Sequence, residues 1–286
     1  MVQKLGAPHY SGGAVRTYAV GSIHFADCTF EGNTAGGAVA GSPEETFGGG
    51  GACIKLSSDV LLERCIFSNN TVTTAGCPGG GLDVYGSLVM DRCTFLGNSA
   101  SAGGGLSLMD RDFVFDDDSA DGIISNCVFS GNTATYGGGI CSGLGVVDLS
   151  LMNCTLSGNT ATDSGGGIEI GAAPSGICAL GNLIVWGNTA GTSGDAIHDP
   201  DAAGVLTYSC IDQTGYAGSG GNIDANPLFV DADGLDDTIG TDDDDVSLEA
   251  LSPCVDAGDP ATTVATDIEG TPRPQGSGHD MGAYER

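Results

Sequence analysis

One pattern recurs along most of this chain. An aliphatic residue leads into Cys-x-Phe, then Gly-Asn-Thr-Ala, then a Gly-Gly-Gly-aliphatic run, and the set returns with small variations. A unit of this size cannot bury a core alone, so neighbouring units must stack. Aligned on the Cys-x-Phe pair, the units read Cys28-Thr29-Phe30, Cys65-Ile66-Phe67, Cys93-Thr94-Phe95, Cys127-Val128-Phe129 and Cys154-Thr155-Leu156, with Leu183-Ile184-Val185 as the sixth. On this alignment Cys210-Ile211 continues the register and Cys254-Val255 closes it. The spacings are 37, 28, 34, 27, 29, 27 and 44 residues, so 27 is the bare coil and the longer values carry loops.

An apolar residue stands three positions before each Cys position, from Phe25 and Leu62 to Leu180. An Asn stands three positions after each Phe position: Asn33, Asn70, Asn98, Asn132, Asn159 and Asn188. Short runs after the glycines, such as Leu82-Asp83-Val84 and Ile168-Glu169-Ile170, alternate with period two, and no window sustains a helical period. The expected fold is all-β, a single right-handed parallel β-helix of about eight coils, each adding about 4.7–4.9 Å of height. Cys and Phe form inward columns. The β-branched residues Thr29, Ile66, Thr94, Val128, Thr155, Ile184 and Ile211 face outward, and the Asn column bonds rung to rung at a corner. Residues 1–222 are expected to form the coils, starting mid-repeat, and residues 223–286 an irregular acidic C-terminal cap.

Eight Lys and Arg stand against 37 Asp and Glu, a formal net charge of −29. That balance argues against nucleic acid and anionic membrane surfaces as partners and favours cations. Of 11 Cys, seven fall on the aligned rung, where small thiols are good filler. Cys53 and Cys77 lie in adjacent Gly-rich segments, where a disulfide is one option, and no pair has zinc spacing. Met1 to Ser11 carries no apolar run of a signal peptide, and no stretch is long enough to insert in a membrane. The mid-repeat start reads as a chain trimmed from a longer one.

The Gly-Gly-Ala-Val, Gly-Gly-Gly-Ile and Phe-x-x-Asn elements (Phe67 to Asn70, Phe95 to Asn98, Phe129 to Asn132) resemble the repeats of polymorphic outer-membrane proteins. The carboxy-terminal part is similar to bacterial secreted right-handed β-helix repeat proteins. The echoes are Asn226-Pro227-Leu228-Phe229-Val230-Asp231, Ser252-Pro253-Cys254-Val255-Asp256-Ala257-Gly258-Asp259 and Gly278-His279-Asp280-Met281-Gly282-Ala283-Tyr284-Glu285. The resemblance implies secretion or surface display. It also places the fold in the wider pectate-lyase-like superfamily, which includes polysaccharide lyases, hydrolases and epimerases.

The strongest local signal is acidic: nine Asp and Glu and no Lys or Arg lie between Asn226 and Ala250. Calcium takes six to eight oxygens, so Asp231, Asp233, Asp236, Asp237, Asp242 and Asp244 are the candidate ligands of a calcium that holds the cap. A second acidic insertion, with Asp110, Asp112 and Asp116 to Asp118, lengthens another coil. For catalysis, Glu169 and His198 are expected on adjacent rungs with Asp195 nearby. Arg64 and Arg92 occupy equivalent positions and offer a basic step for an acidic sugar, though pairing with Glu63 and Asp91 is the plainer expectation. Trp186, the lone Trp, is a weak hint of sugar stacking. No catalytic set converges. The expected role is therefore an extracellular or cell-surface structural and adhesive module, calcium-stabilised and polysaccharide-binding. The alternatives are a polysaccharide lyase or glycoside hydrolase, and a fibre subunit that self-associates through open coil edges.

Overall fold

Parallel ladders run the length of the molecule wherever the repeat pattern occurs. A computed structural model describes residues 13–18, 21–36, 48–109, 120–143, 146–171, 178–201 and 204–286, and all regular structure among them is strand. The acidic insertion at 110–119 lies outside the described residues.

Twelve strands form one sheet that covers two faces of the coil. Ala52–Glu63 and Leu82–Asp91 each run through both faces. Later coils break at the bend, with Leu106–Met109, Ile140–Ser142, Ile168–Ile170 and Ile197–His198 on the first face. Ala120–Ser125, Val146–Met152, Cys178–Gly181 and Gly204–Thr207 continue the second. The Cys-x-Phe segments make the third face, a seven-stranded parallel sheet from Thr29–Glu31 to Cys210–Ile211.

Three columns explain why this repeat stacks. Phe30, Phe67, Phe95 and Phe129 stack with centroids 4.6, 4.7 and 4.7 Å apart, the spacing of the strands themselves. At the next corner each Asn binds its successor. Asn98 donates its backbone N–H and its side-chain amide to Asn132 Oδ1, at 3.0 and 2.9 Å. Asn132 in turn donates to Phe95 O and Asn159 Oδ1. The expected Asn ladder is thus present, buried and continuous from Asn33 to Asn188.

The Cys column does more than fill space. Each thiol donates to the carbonyl two residues before it, and Cys93, Cys127 and Cys154 also accept the backbone N–H of the preceding rung, as at Cys93 (Asp91 O, 3.5 Å; Cys65 N, 3.4 Å). These bonds satisfy a corner where the residue before each thiol has positive φ: Asp27, Arg64, Arg92, Asn126 and Asn153 lie between 51° and 55°. Asn tolerates that region better than Arg does.

Two expected rung positions are corrected by the register. Cys210 pairs with Ile184, and Ile211 pairs with Val185 and lies in the main core. The thiol position of the last coil therefore belongs to Ser209, whose hydroxyl accepts Leu183 N–H at 3.0 Å and donates to Thr207 O. The one-residue shift moves Ile211 inward and Cys210 outward, because strand side chains alternate. Cys254 belongs to no coil, so the third face has seven rungs among the described residues.

The C-terminal residues divide between an end and a flank. Gln213 Oε1 accepts Ala196 and Ile197 N–H, and Asn222 Oδ1 accepts Ser209 N–H, so the segment after the last strand closes the final coil. From Phe229 on, the chain turns back along the outside of the third face. Its own small sheet is an antiparallel hairpin of Phe229–Asp231 and Asp245–Leu248.

Candidate functional site

The outward column of the third face is exposed at one end and sealed at the other. Thr29 is exposed and Ile66 is 41% exposed, whereas Val128 is 3% and Thr155 and Ile184 are 1% exposed. The chain's own C-terminal segment makes the difference. It docks on both corners that border this face. On one side, Gly131 has φ +62° and an added Cβ there would lie 2.4 Å from Gly240 Cα, so glycine is required by conformation and by contact. On the other, Asn182 Oδ1 accepts Asp259 N–H at 2.6 Å and its carbonyl accepts Gly282 N–H at 2.7 Å. Between them, Val246 and Ala283 pack on Val128, and Ala283 N–H donates to Thr155 Oγ1. The acidic segment therefore straps a flank.

Where the strap stops, a cleft of about 230 Å³ remains. Its floor is Ile66, Ser68, Thr94, Leu96, Val128 and Ser130, and its wall is Thr241, Asp242, Asp244 and Tyr284. Asp244 accepts from Gly240 N–H at 2.7 Å and from Ser130 Oγ at 2.9 Å, which ties the wall to the floor. Burial raises its pKa against the pull of those donors. Asp243 instead is held low by the Thr241 hydroxyl, and its Oδ2 accepts Leu235 N–H.

The six candidate calcium ligands are spread along this segment. Asp242 and Asp244 line the cleft. Asp231 sits in the hairpin opposite Asp245, Asp236 accepts Thr238 N–H at 2.9 Å, and Asp233 and Asp237 lie in the turn between.

Glu169 and His198 do meet on adjacent rungs. His198 Nδ1 lies 2.9 Å from Glu169 Oε1, and Ser164 Oγ donates to Glu169 Oε2 at 2.8 Å. Asp195 does not join them: its Oδ1 accepts Ala190 N–H at 2.7 Å, which closes a turn. Arg64 and Arg92 are corner residues, and each is matched by a carboxylate. Arg64 makes a two-pronged pair with Asp27 at 2.7 and 2.9 Å, not with Glu63, and Arg92 pairs with Asp91 at 2.8 Å. Trp186 is half-buried beside Ile184, Leu248 and Met281, so it anchors the strap and does not line the cleft.

The first face holds a buried polar column that its outward register conceals. Cys53, Asp83, Ser107 and Cys141 pair in succession, and none is more than 6% exposed. Cys77 packs with Ala35 and Val72 in a separate cluster, so it does not pair with Cys53. Among the described residues Asp83 Oδ1 has no hydrogen-bond partner, and burial pushes the carboxyl up from 3.8 to about 7 although Lys55 pulls it down. The folded state thus holds a proton that the unfolded chain releases. Stability is fullest below about pH 4 and falls as pH rises to about 7, by on the order of 4 kcal/mol. Asp83→Asn is expected to remove that part of the slope. Urea unfolding at pH 5 and pH 8 should show the variant gaining more on the parent at the higher pH, by about 2–3 kcal/mol.

Sequence reasoning missed the cleft because its wall and floor lie more than 100 residues apart, as Ser130 and Asp244 do. A signal was present in part: two rungs that the strap covers carry Ser130 and Ser157 where the exposed first rung has Glu31.

Residues 9–190 match the protein family described as a right handed beta helix region. The chain belongs to the right-handed β-helix family. No curated protein and no solved structure matches it. In this β-helix the match ends where the final coil and the strap begin, so the strap and the cleft wall lie outside the family's shared region.

Proposed function

We propose that this β-helix is an extracellular structural and adhesive module that holds a short stretch of neutral polysaccharide in the cleft beside its strap. The cleft lining carries the reading. Ser68, Thr94, Ser130 and Thr241 offer hydroxyls, Asp242 offers a carboxylate, and Ile66, Leu96 and Tyr284 offer apolar surface. Sugar rings need that mixture of apolar faces and a few placed polar groups. At about 230 Å³ the cleft falls below the ~300–1,000 Å³ usual for small-molecule sites, so it suits one part of a chain lying across it. The net charge of −29 and the two wall carboxylates disfavour uronates. Extracellular placement rests on the resemblance of the repeats. Calcium binding at the acidic segment belongs to the same proposal and rests on the nine acids between Asn226 and Ala250.

The test is retention on a panel of insoluble neutral and uronate polysaccharides, with calcium and with chelator, while chain cleavage is followed in parallel. Retention on neutral chains is expected, lost at least tenfold in Leu96→Trp, which fills the floor. Equal retention by that variant would sink the cleft as the site. Cleavage would make the protein an enzyme and send the search to Glu169 and His198, the one pair of candidate catalytic side chains in contact.

A further inference from the structure

We infer that Cys210 and Cys254 are a disulfide-forming pair that fastens the C-terminal strap to the last coil. The two cysteines lie 44 residues apart in sequence, and neither occupies the thiol column. Both are fully buried, in one cluster with Ile184, Leu248 and Met281 where the strap meets the helix. Cys210 on the last coil and Cys254 on the strap thus meet within one packed cluster at that junction. Around them the strap is already held by backbone, since Met281 N–H donates to Cys254 O at 3.0 Å within the strap and Gly282 N–H donates to Asn182 O of the helix at 2.7 Å. Cys254 is thereby placed against Cys210 by its neighbours and not by a flexible loop.

The column cysteines differ in what their sulfurs do. Cys65, Cys93, Cys127 and Cys154 each donate to the carbonyl two residues back, and the last three also accept a backbone N–H from the rung before. Joining two of them would break those bonds and would link rungs that the ladder already fixes. Joining Cys210 to Cys254 links the helix to a segment that is otherwise held by packing and hydrogen bonds. Cys210 gives up only its contact with Ala225 O, at 3.0 Å.

The oxidant is a low-molecular-weight disulfide, RSSR. One cysteine thiolate attacks a sulfur of RSSR, forming a mixed disulfide and releasing RS⁻. The second thiolate displaces the remaining RS⁻ and closes the protein disulfide. The two protons lost by the cysteines leave on the two RSH molecules, so one RSSR is reduced for each bond formed. Because both sulfurs are sealed in the docked state, exchange occurs while the strap is open. Docking then shields the bond from reductant.

The experiment incubates the intact protein with oxidised glutathione or with a phosphine reductant, alkylates free thiols in denaturant, and maps the peptides by mass spectrometry. A Cys210–Cys254 cross-link is expected after oxidation, with the other nine of the 11 cysteines alkylated. The oxidised protein should melt several degrees above the reduced one, and Cys254→Ser should abolish that difference while melting like the reduced parent. Both peptides recovered alkylated after oxidation would overturn the inference, as would a cross-link within the column, such as Cys93 to Cys127. The mapping uses the parent protein, so it decides the pairing even where the variant folds poorly.

Discussion

Arg273→Ala should release the strap. The Arg273 and Glu285 side chains are both fully buried and meet at 2.8 Å. The guanidinium also donates to the carbonyls of Asp280, at 3.2 Å, and Gly282, at 2.8 Å. Glu285 itself accepts the backbone N–H groups of Gln275 and Asp280. The pair therefore folds the last turn of the chain, and that turn presents Met281 to Ile184 and Cys210, and Ala283 to Val128. Removing one partner of a buried pair leaves an uncompensated charge and costs about 3–5 kcal/mol. Here two carbonyls also lose their donor. The loss should appear as early proteolysis beyond residue 223 and as a split in a melting curve that is otherwise single. Adding Glu285→Gln should recover part of the loss, because the stranded charge is then gone. A single unchanged transition in Arg273→Ala would show that the strap does not depend on this pair.

Asn132→Ala should weaken the helix itself by a similar amount. The Asn132 side chain makes four bonds in the middle of the ladder: it accepts twice from Asn98 and donates to Phe95 O and Asn159 Oδ1. It is fully buried, so no water replaces what is lost. Each orphaned buried group costs about 1–3 kcal/mol, and several are orphaned together, giving about 3–5 kcal/mol after partial relaxation. Asn33→Ala makes the control. Asn33 lies at the first rung and only donates to Asn70 Oδ1, with its backbone and side-chain nitrogens, so its backbone bond survives truncation. Chemical denaturation should rank Asn132→Ala well below Asn33→Ala. Equal losses would mean that the ladder acts as isolated bonds and not as a continuous column. Both variants should leave the strap docked, because the Asn corner lies inside the coil.

Much of the coil was legible before any coordinates. The positions of Phe67, Phe95, Asn98 and Asn132 follow from the repeat, because a residue that recurs at one place in every unit must meet its own copy. The same logic failed where the repeat decayed. At the last coil, Ser209 replaces Cys and the next residue happens to be Cys210, so alignment by residue type slipped by one. A hydroxyl and a thiol perform the same two hydrogen bonds there, and hydrogen-bonding capacity was the better guide to register. The outward register of this column is legible in the sequence, but its surface is free only at Thr29 and Ile66 and is covered at Thr155 and Ile184. Alternation says which way a side chain points and nothing about what later folds over it. Asp83 shows the same: its register is outward, and its environment is buried.

The sequence by itself determined the coil: its handed stack, its Phe, Asn and thiol columns, and the glycines at its turns. These are local and periodic properties, and each unit carries its instructions for meeting the next. Only the tertiary structure decided the path of residues 229–286, the pairing of Arg273 with Glu285, the meeting of Cys210 with Cys254, and the cleft between Ser130 and Asp244. Those contacts join an aperiodic segment to a periodic surface. Their register is set by shape and by buried hydrogen bonds across long sequence separations, and no spacing along the chain encodes it.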